Sequence, residues 1–203
     1  MSVFRNLLMG LGESPTPSPY TEVNWLQGNS YSVNQNYLDT GYVPNDNTKI
    51  EMKYQFSSSI NHDYDRLFGA GDFSCITWNG RQLYVKIDAR RGSWDYNGFS
   101  DTTSMDVDHI VQVTTSNVYI DNVQKFSGQR NVVGTDTLYL FKNNVPDDDR
   151  DSCARIYYCK IWESDTLVRD IIPVLDGNNV PCMYDRVTNT FYYNQGSGSF
   201  SWG

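Results

Sequence analysis

Residues 73–88 read FSCITW-NG-RQLYVKID, and this stretch decides the fold class. Two runs rich in β-branched and aromatic residues flank Asn79-Gly80, a pair that accepts the positive φ angles of a type I′ turn. In the second run Leu83, Val85 and Ile87 alternate with polar residues, as in a strand that buries one face. The stretch therefore predicts a β-hairpin packed on a core.

A second hairpin is predicted over residues 117–126, NVYI-DN-VQKF, because Asp121 and Asn122 both tolerate left-handed geometry. From Tyr20 onward there is no convincing amphipathic helix, only short runs separated by turn signals. About twelve short strands predict an all-β domain of two packed sheets. The remaining predicted strands are Gln35–Thr40, Thr48–Phe56, Arg66–Ala70, His109–Thr115, Thr137–Lys142, Ala154–Trp162, Thr166–Val174 and Thr190–Tyr193.

The first nineteen residues differ in composition from the rest of the chain. Residues 13–19 hold three prolines and predict an extended linker between an arm, 1–12, and one domain, 20–203. The arm is too short to form a stable helix alone, and we expect it to dock on a neighbouring protein. Its apolar stretch is also too short for a signal peptide, and no run could span a membrane. The predicted docking residues recur at helical spacing: Val3, Phe4, Leu7, Leu8 and Leu11.

Charge and cysteine usage exclude several classes of partner. The chain carries 24 acidic and 16 basic residues, a net charge of −8, without a Lys/Arg-rich run, so we expect no nucleic-acid partner. The four cysteines lack Cys-x-x-Cys spacing and lie far from both histidines, which disfavours zinc. We expect four reduced and mostly buried thiols, with a cross-strand disulfide of Cys75 or Cys182 as the alternative.

An ordered series of short motifs resembles a known family. In the C-terminal half these are RIYYCKIW (155–162), LVRDIIPV (167–174), Tyr184-Asp185, FYYN (191–194) and GSGSF (196–200). Upstream, YLDTGY (37–42), LFGA (67–70), VYIDN (118–122) and LYLF (138–141) follow the same order. The series, over residues 20–203, resembles the bacteriophage concanavalin A-like lectin/glucanase (laminin G-like) jelly-roll domains of virion proteins. Asn122 departs from it, because the family usually has Gly there.

The resemblance implies a two-sheet antiparallel jelly-roll sandwich and a place in tail fibres, head fibres or capsid decoration proteins. Its motif residues also have an interpretation that needs no ligand. We expect Arg169 and Asp170 to pair with the backbone or with each other near a sheet edge. Tyr184-Asp185 is predicted to be a turn with a tucked ring.

Catalytic patterns are missing from the sequence. Retaining glycosidases of this broad fold need two carboxylates about 5 to 5.5 Å apart, and no strand shows acidic residues alternating on one face. His62 and His109 are the only histidines, and no Gly-x-Ser-x-Gly motif accompanies them. We therefore predict that the protein is not an enzyme and needs no cofactor. The one weak metal candidate is the acidic loop with Asp147, Asp149 and Asp151, which is either a Ca²⁺ site or a plain solvated loop.

The most site-like segment is the loop over residues 90–99, RRGSWDYNGF. Aromatic rings stack on sugar rings or anchor protein interfaces, while polar side chains bind hydroxyl groups. A loop whose rings plug the edge of the sandwich would have the same composition. The candidate ligand-binding residues are Arg91, Trp94, Asp95, Tyr96 and Asn97.

Two functions follow as expectations. The first is a structural or decorating virion protein, anchored through its arm to other virion proteins and self-associating. The second is a glycan-binding module of a tail or head fibre that recognises a host surface. Both place the protein in a virion.

Overall fold

The computed structural model describes residues 19–28, 36–58, 65–71, 73–78, 82–86, 100–102, 104–114, 116–127, 135–145 and 152–203. Over these ranges the chain forms seventeen β-strands and no helix. The strands are β1 (Tyr20–Glu22), β2 (Leu26–Gln27), β3 (Leu38–Asp39), β4 (Thr48–Gln55), β5 (Arg66–Ala70), β6 (Phe73–Trp78), β7 (Gln82–Lys86), β8 (Ser100–Thr102), β9 (His109–Val113), β10 (Asn117–Ile120), β11 (Val123–Ser127), β12 (Tyr139–Leu140), β13 (Arg155–Glu163), β14 (Thr166–Asp176), β15 (Pro181–Asp185), β16 (Thr190–Tyr192) and β17 (Ser201–Trp202).

The strands form two antiparallel sheets packed face to face. The larger sheet has eleven strands, with the main order β11-β10-β9-β4-β13-β14-β15-β16. In the same sheet β1 pairs with β14, and β2 pairs with both β13 and β17. The smaller sheet has six strands in the order β3-β12-β5-β6-β7-β8. The fold is therefore the all-β, two-sheet jelly-roll sandwich that the sequence predicts.

One large core fills the space between the sheets. Strand β4 shows why: Thr48, Ile50, Met52 and Tyr54 are fully buried, while the intervening side chains are half-exposed. This period of two is the geometry of a strand with one face in a core. Each large apolar side chain buried in this way contributes about 1.5–3 kcal/mol. The core thus fixes which side chains of the larger sheet point outward.

The predicted β10–β11 hairpin is confirmed. Asp121 and Asn122 have φ angles of 51° and 64°, so both turn residues are left-handed, as a type I′ turn requires. Asn reaches this region more readily than most other non-glycine residues, so Asn122 suits the turn. Ser164 and Asp165 connect β13 to β14 with φ angles of 47° and 66°. The turn Asn79-Gly80 lies outside the described residues.

Five strands were not predicted: β1, β2, β8, β15 and β17. Four of them contain only two or three residues, too few for an alternating pattern to be visible. The fifth, β15, corrects the turn predicted at Tyr184-Asp185, because both residues lie at the end of this strand. Pro181 opens β15, the position in a strand that tolerates a missing N–H. Neighbours on both sides, β14 and β16, extend the pairing through Tyr184.

The prediction for Arg169 and Asp170 is wrong in two respects. They lie inside β14, between β13 and β15, and not at a sheet edge. They cannot pair with each other, because successive side chains in a strand point to opposite faces. Asp170 instead accepts from Arg186 at 2.8 and 2.9 Å. Arg169 lies 3.5 Å from the carboxylate of Asp185, and its predicted backbone contact is confirmed by a 2.8 Å bond to the carbonyl of Val168.

Asp185 explains part of the sequence motif. Its carboxylate is fully buried and accepts the backbone N–H groups of Asp170 at 2.9 Å and Val187 at 3.0 Å. The hydroxyl of Thr188 donates to the other oxygen at 2.7 Å. A buried charge needs such partners, and here they hold the turn after β15 against the sheet. This residue therefore supports the fold.

All four cysteines are buried and none is in a disulfide. Burial raises the pKa of Cys75 and Cys159 far above the usual thiol range, and that of Cys182 to about 12. These side chains behave as small apolar groups, and the expectation of buried, reduced thiols is confirmed.

Candidate functional site

The outward side of the larger sheet carries a group of half-buried aromatic and polar side chains, which we call the polar face. They project from the middle of the sheet, on the side opposite the core. The polar face consists of Trp25, Gln27, Lys49, Glu51, Lys53, Gln55, Asp108, Gln112, Arg155, Tyr157, Tyr158, Lys160 and Trp162.

Strands β4 and β13 form the centre of the polar face. Their register places Trp162 opposite Lys49 and Lys160 opposite Glu51. A bulge in β13 between Ile156 and Tyr158 inserts one extra residue. As a result Tyr157 and Tyr158 both contact groups on the polar face, although they are adjacent in sequence.

Arg155 of β13 contacts side chains of β4 and of the segment around β2 at one end of the polar face. Its Nε donates to Gln27 at 3.0 Å and its Nη1 to Gln55 at 2.8 Å, both through side-chain carbonyl oxygens. The guanidinium lies over the indole ring of Trp25, with Cζ 4.5 Å from the ring centroid. Planar stacking and fixed donors hold the arginine in one orientation.

Asp108 organises the next part of the polar face. One carboxylate oxygen lies 2.8 Å from Lys53 Nζ, and the other accepts from Gln55 at 3.0 Å. Tyr157 also interacts electrostatically with Asp108. The ammonium of Lys53 lies over the ring of Tyr157 at 4.5 Å. Four side chains from β4, β13 and the residue before β9 are thus mutually fixed.

Glu51 is bound by neutral donors. The hydroxyl of Tyr158 donates to one carboxylate oxygen at 2.8 Å, and the amide of Gln112 donates to the other at 2.7 Å. Lys160 lies directly opposite on β13, yet its ammonium sits over the ring of Tyr158 at 5.3 Å. The carboxylate therefore takes part in a hydrogen-bond network that does not include the adjacent lysine.

The pKa directions define the state of these groups at neutral pH. Burial and then the interaction with Asp108 raise the pKa of Tyr157 to about 12. Burial and then Glu51 raise the pKa of Tyr158 well above its usual range. Burial opposes ionisation of Asp108, but interactions with Lys53, Tyr157 and Gln55 outweigh it and lower its pKa. Both phenols are therefore donors and Asp108 is an acceptor.

The rest of the outer face, over β14 to β16, is different, and we call it the apolar half. It is a second apolar cluster, separate from the core between the sheets, formed by Ile172, Val174, Cys182 and Tyr184 with Tyr20, Tyr158 and Phe191. The ring of Tyr184 lies 4.4 Å from that of Tyr20 and 4.8 Å from that of Phe191. Aromatic rings from β1 and β16, which are strands of the same sheet, cover this half.

Most sequence-predicted site residues cannot be compared with the polar face. The ligand-binding candidates Arg91, Trp94, Asp95, Tyr96 and Asn97 lie outside the described residues. So do the docking residues Val3, Phe4, Leu7, Leu8 and Leu11, the acidic residues Asp147, Asp149 and Asp151, and His62. These assignments stay predictions.

His109 is accounted for by the fold. Its Nδ1 lies 2.7 Å from a carboxylate oxygen of Asp121, and its Nε2 lies 3.1 Å from the carbonyl of Ser104. The imidazole packs near the ring of Tyr54, with centroids 5.9 Å apart. The expected structural role of this histidine agrees with these contacts.

Within the described ranges, no three His, Cys, Asp or Glu side chains are grouped so that they could hold a metal ion. The same ranges contain no helix with the length and apolar character needed to cross a membrane.

Sequence reasoning missed the polar face. The alternation in residues 49–55, Lys-x-Glu-x-Lys-x-Gln, was available as a signal, because it marks one polar side of a strand. The partner strand gave no such signal, since the bulge at Tyr157 breaks the period of two. Strand pairing across about a hundred residues then brings the two segments together.

Comparison with known proteins gives fold information only. No family model matches the sequence, and no curated protein matches it. Among solved structures, the chain is similar to a crystal structure from Bacteroides ovatus ATCC 8483 described as a "putative carbohydrate binding protein". The TM-score is 0.60 at 10% sequence identity, over 90% of this chain and 60% of that one. The chain thus spans less than two thirds of that protein, with which it shares a β-sandwich fold.

Proposed function

We propose that this protein is a carbohydrate-binding β-sandwich and that the polar face is its glycan site. The observation that carries the proposal is the polar face itself, where aromatic rings alternate with fixed hydrogen-bonding groups on one open side of a sheet. Sugars have apolar ring faces and polar edges, so their binding sites combine these two kinds of group. The fold similarity to a protein described as carbohydrate-binding supports the same conclusion.

The polar face is preorganised for binding. Arg155, Asp108 and Glu51 are each held by two or more neighbours before any ligand arrives. Binding therefore immobilises few additional side chains, which keeps the entropic cost of association low. The register of β2 places Trp25 level with Tyr157, about five residues or roughly 16 Å along β13 from Trp162, so aromatic rings lie at both ends of the polar face. An extended oligosaccharide suits this length.

We also propose that the protein binds its ligand without chemical change. A general acid on the polar face would need a carboxyl group with a raised pKa, and that of Asp108 is lowered. Both carboxylate oxygens of Glu51 already accept hydrogen bonds, from Tyr158 and Gln112. These features favour recognition over hydrolysis.

The finer setting remains the one that the sequence resemblance implies, a bacteriophage virion. In that setting the glycan would lie on a host surface, and the arm over residues 1–12 would dock the domain on other virion proteins. If the protein only decorates the virion, the arm is essential and the polar face is not. Deleting residues 1–12 should then abolish incorporation into particles, and normal incorporation would refute docking through the arm.

A glycan array tests the proposed function. Wild-type protein is compared with Trp162→Ala, which removes an aromatic surface from the polar face. The matched control is Tyr139→Ala, because Tyr139 is a half-buried ring of the smaller sheet, stacked on Tyr37 at 5.1 Å. We expect wild type and control to bind the same glycans and Trp162→Ala to lose at least tenfold in affinity. Absence of binding by wild type, or equal losses in both variants, would reject the polar face as the site.

A further inference from the structure

We propose that the polar face takes an anionic oligosaccharide, one that carries carboxylate or sulfate groups on more than one sugar. This inference rests on the proposed function and specifies its ligand class. It starts from charge, because the polar face is cationic on a protein whose net charge is −8. Its side chains include four cations, Lys49, Lys53, Lys160 and Arg155, and only two carboxylates, Glu51 and Asp108.

The contacts of Lys160 are the strongest argument. Cross-strand neighbours of opposite charge normally pair, and Lys160 has a carboxylate directly opposite on each side. On β4 that neighbour is Glu51, which is occupied by Tyr158 and Gln112. On β14 it is Asp170, whose Oδ2 binds Arg186 and whose buried Oδ1 has no hydrogen bond to a described residue, yet Lys160 does not pair with it. Among the described residues, no carboxylate oxygen lies within 4.0 Å of the Lys160 ammonium.

Two more cations of the polar face also lack a carboxylate partner within the described ranges. Lys49 lies over the ring of Trp162, with its ammonium 4.7 Å from the centroid. Arg155 donates to neutral side-chain amides, those of Gln27 and Gln55. Of the four cations, only Lys53 forms an ion pair with a described residue, Asp108. Within the described part of the chain, three positive charges therefore have no carboxylate partner and can meet a ligand.

The spacing of these charges describes the ligand. Lys49 and Lys160 are diagonal neighbours on adjacent strands, which places their backbones about 8 Å apart. Arg155 lies five residues from Lys160 along β13, about 16 Å away. A single anion cannot reach all three, whereas an extended chain with repeated anionic groups can. The cations Lys160, Lys49 and Arg155 lie over the rings of Tyr158, Trp162 and Trp25, so a sugar between the anionic groups would contact the parts of these rings that the cations leave exposed.

The negative net charge of the whole protein restricts how an anionic ligand can be attracted. A protein of net charge −8 repels polyanions at long range, so binding must come from groups in direct contact with the ligand. Contacts between ammonium or guanidinium and carboxylate or sulfate are charge-assisted and weaken with added salt. Neutral saccharides would lack these charge-assisted contacts.

The test measures affinity for three oligosaccharide sets of matched length: neutral, carboxylated and sulfated. A single-stranded oligonucleotide serves as a polyanion without the same sugar surface. The full chain is compared with the double variant Lys49→Gln/Lys160→Gln, with Lys160→Arg, and with Lys125→Gln on the edge strand β11. Circular dichroism and thermal unfolding establish that each variant folds.

We expect wild type to prefer one of the anionic sets at least tenfold over the neutral set, with affinity falling as salt is raised. The double variant should lose that preference, Lys160→Arg should retain it because the charge remains, and Lys125→Gln, outside the polar face, should stay within about threefold of wild type. Equal binding of neutral and anionic saccharides, an unaffected double variant, or tighter binding of the oligonucleotide would overturn the inference and leave glycan binding standing. No binding to any saccharide would instead reject the proposed function.

Discussion

The polar face and the apolar half lie side by side on the same surface of the same sheet, but they differ in what covers them. In the apolar half, Val174 and Cys182 are fully buried beneath aromatic rings from β1 and β16. On the polar face, the side chains of β4 and β13 remain half-exposed, and their partners are one another. Strand β13 belongs to both regions, because Tyr158 contacts each.

The difference between the two regions shows which of them the chain covers with its own side chains. Apolar side chains on an outer sheet face must be buried, and this chain buries them with its own first strand and last hairpin. The polar face has no such cover among the described residues, and its charged groups are oriented by hydrogen bonds or by aromatic rings. The apolar half therefore serves stability, and the polar face carries the proposed glycan site. Substitutions at three positions separate these roles, in order of decreasing expected effect.

The largest effect is expected in the apolar half. Tyr184→Ala removes a ring that is 8% exposed and packs between Tyr20 and Phe191. By analogy with other buried aromatic residues, the free energy of unfolding should fall by about 3–5 kcal/mol. Tyr184→Phe keeps the ring and loses only the 2.9 Å hydrogen bond to Asn189, so about 1 kcal/mol is expected.

Urea unfolding measures both variants, and glycan affinity of the folded protein should not change in either. A loss below about 1 kcal/mol for Tyr184→Ala would show that the apolar half is not a packed cluster. If a completely folded variant binds glycan more weakly than wild type, the two halves are not separate in function.

A smaller effect is expected at the boundary between the two regions. Tyr158→Phe keeps the packing of the ring but removes the donor to Glu51, which should lower stability by about 1 kcal/mol. Glu51 then becomes available to Lys160 opposite, and an anionic ligand must compete for that lysine. Affinity for an anionic saccharide should fall about threefold, since exposed ion pairs are worth up to about 1 kcal/mol. Titration calorimetry measures this, and increased affinity would contradict the role given to Tyr158.

The smallest expected effect is on the stability of the protein at acidic pH. The folded-state pKa of Asp108 is lowered, so its ionised form contributes stability above the ordinary carboxyl pKa of about 3.9. That contribution is lost as the pH falls through the lowered folded-state value. The stability difference between wild type and Asp108→Asn should be constant from pH 8 to about 5 and shrink below about 4. Denaturant unfolding across this range tests the sign, and a difference that grows in acid would show that Asp108 is not held by its donors.

The fold was predictable because its signals are local. The turn at Asp121-Asn122 and the alternation of β4 each depend on a few neighbouring residues, and both agree with the structure. The apolar half was not predictable in the same way. Its cover comes from β1, a strand of three residues, whose pairing with β14 spans more than 150 positions. Such short strands form only because a neighbour is already in place.

By itself, the sequence determined the all-β class, the two-sheet sandwich, the buried thiols and the β10–β11 turn, since periodicity and turn chemistry act over a few residues. Tertiary structure decided how the side chains of the polar face are brought together and which of them pair. The pairing of β4 with β13 set which lysine lies opposite which carboxylate, and the bulge at Tyr157 turned a second tyrosine toward the same side. Whether a charged side chain finds a partner depends on distances across strands, and no local pattern contains them.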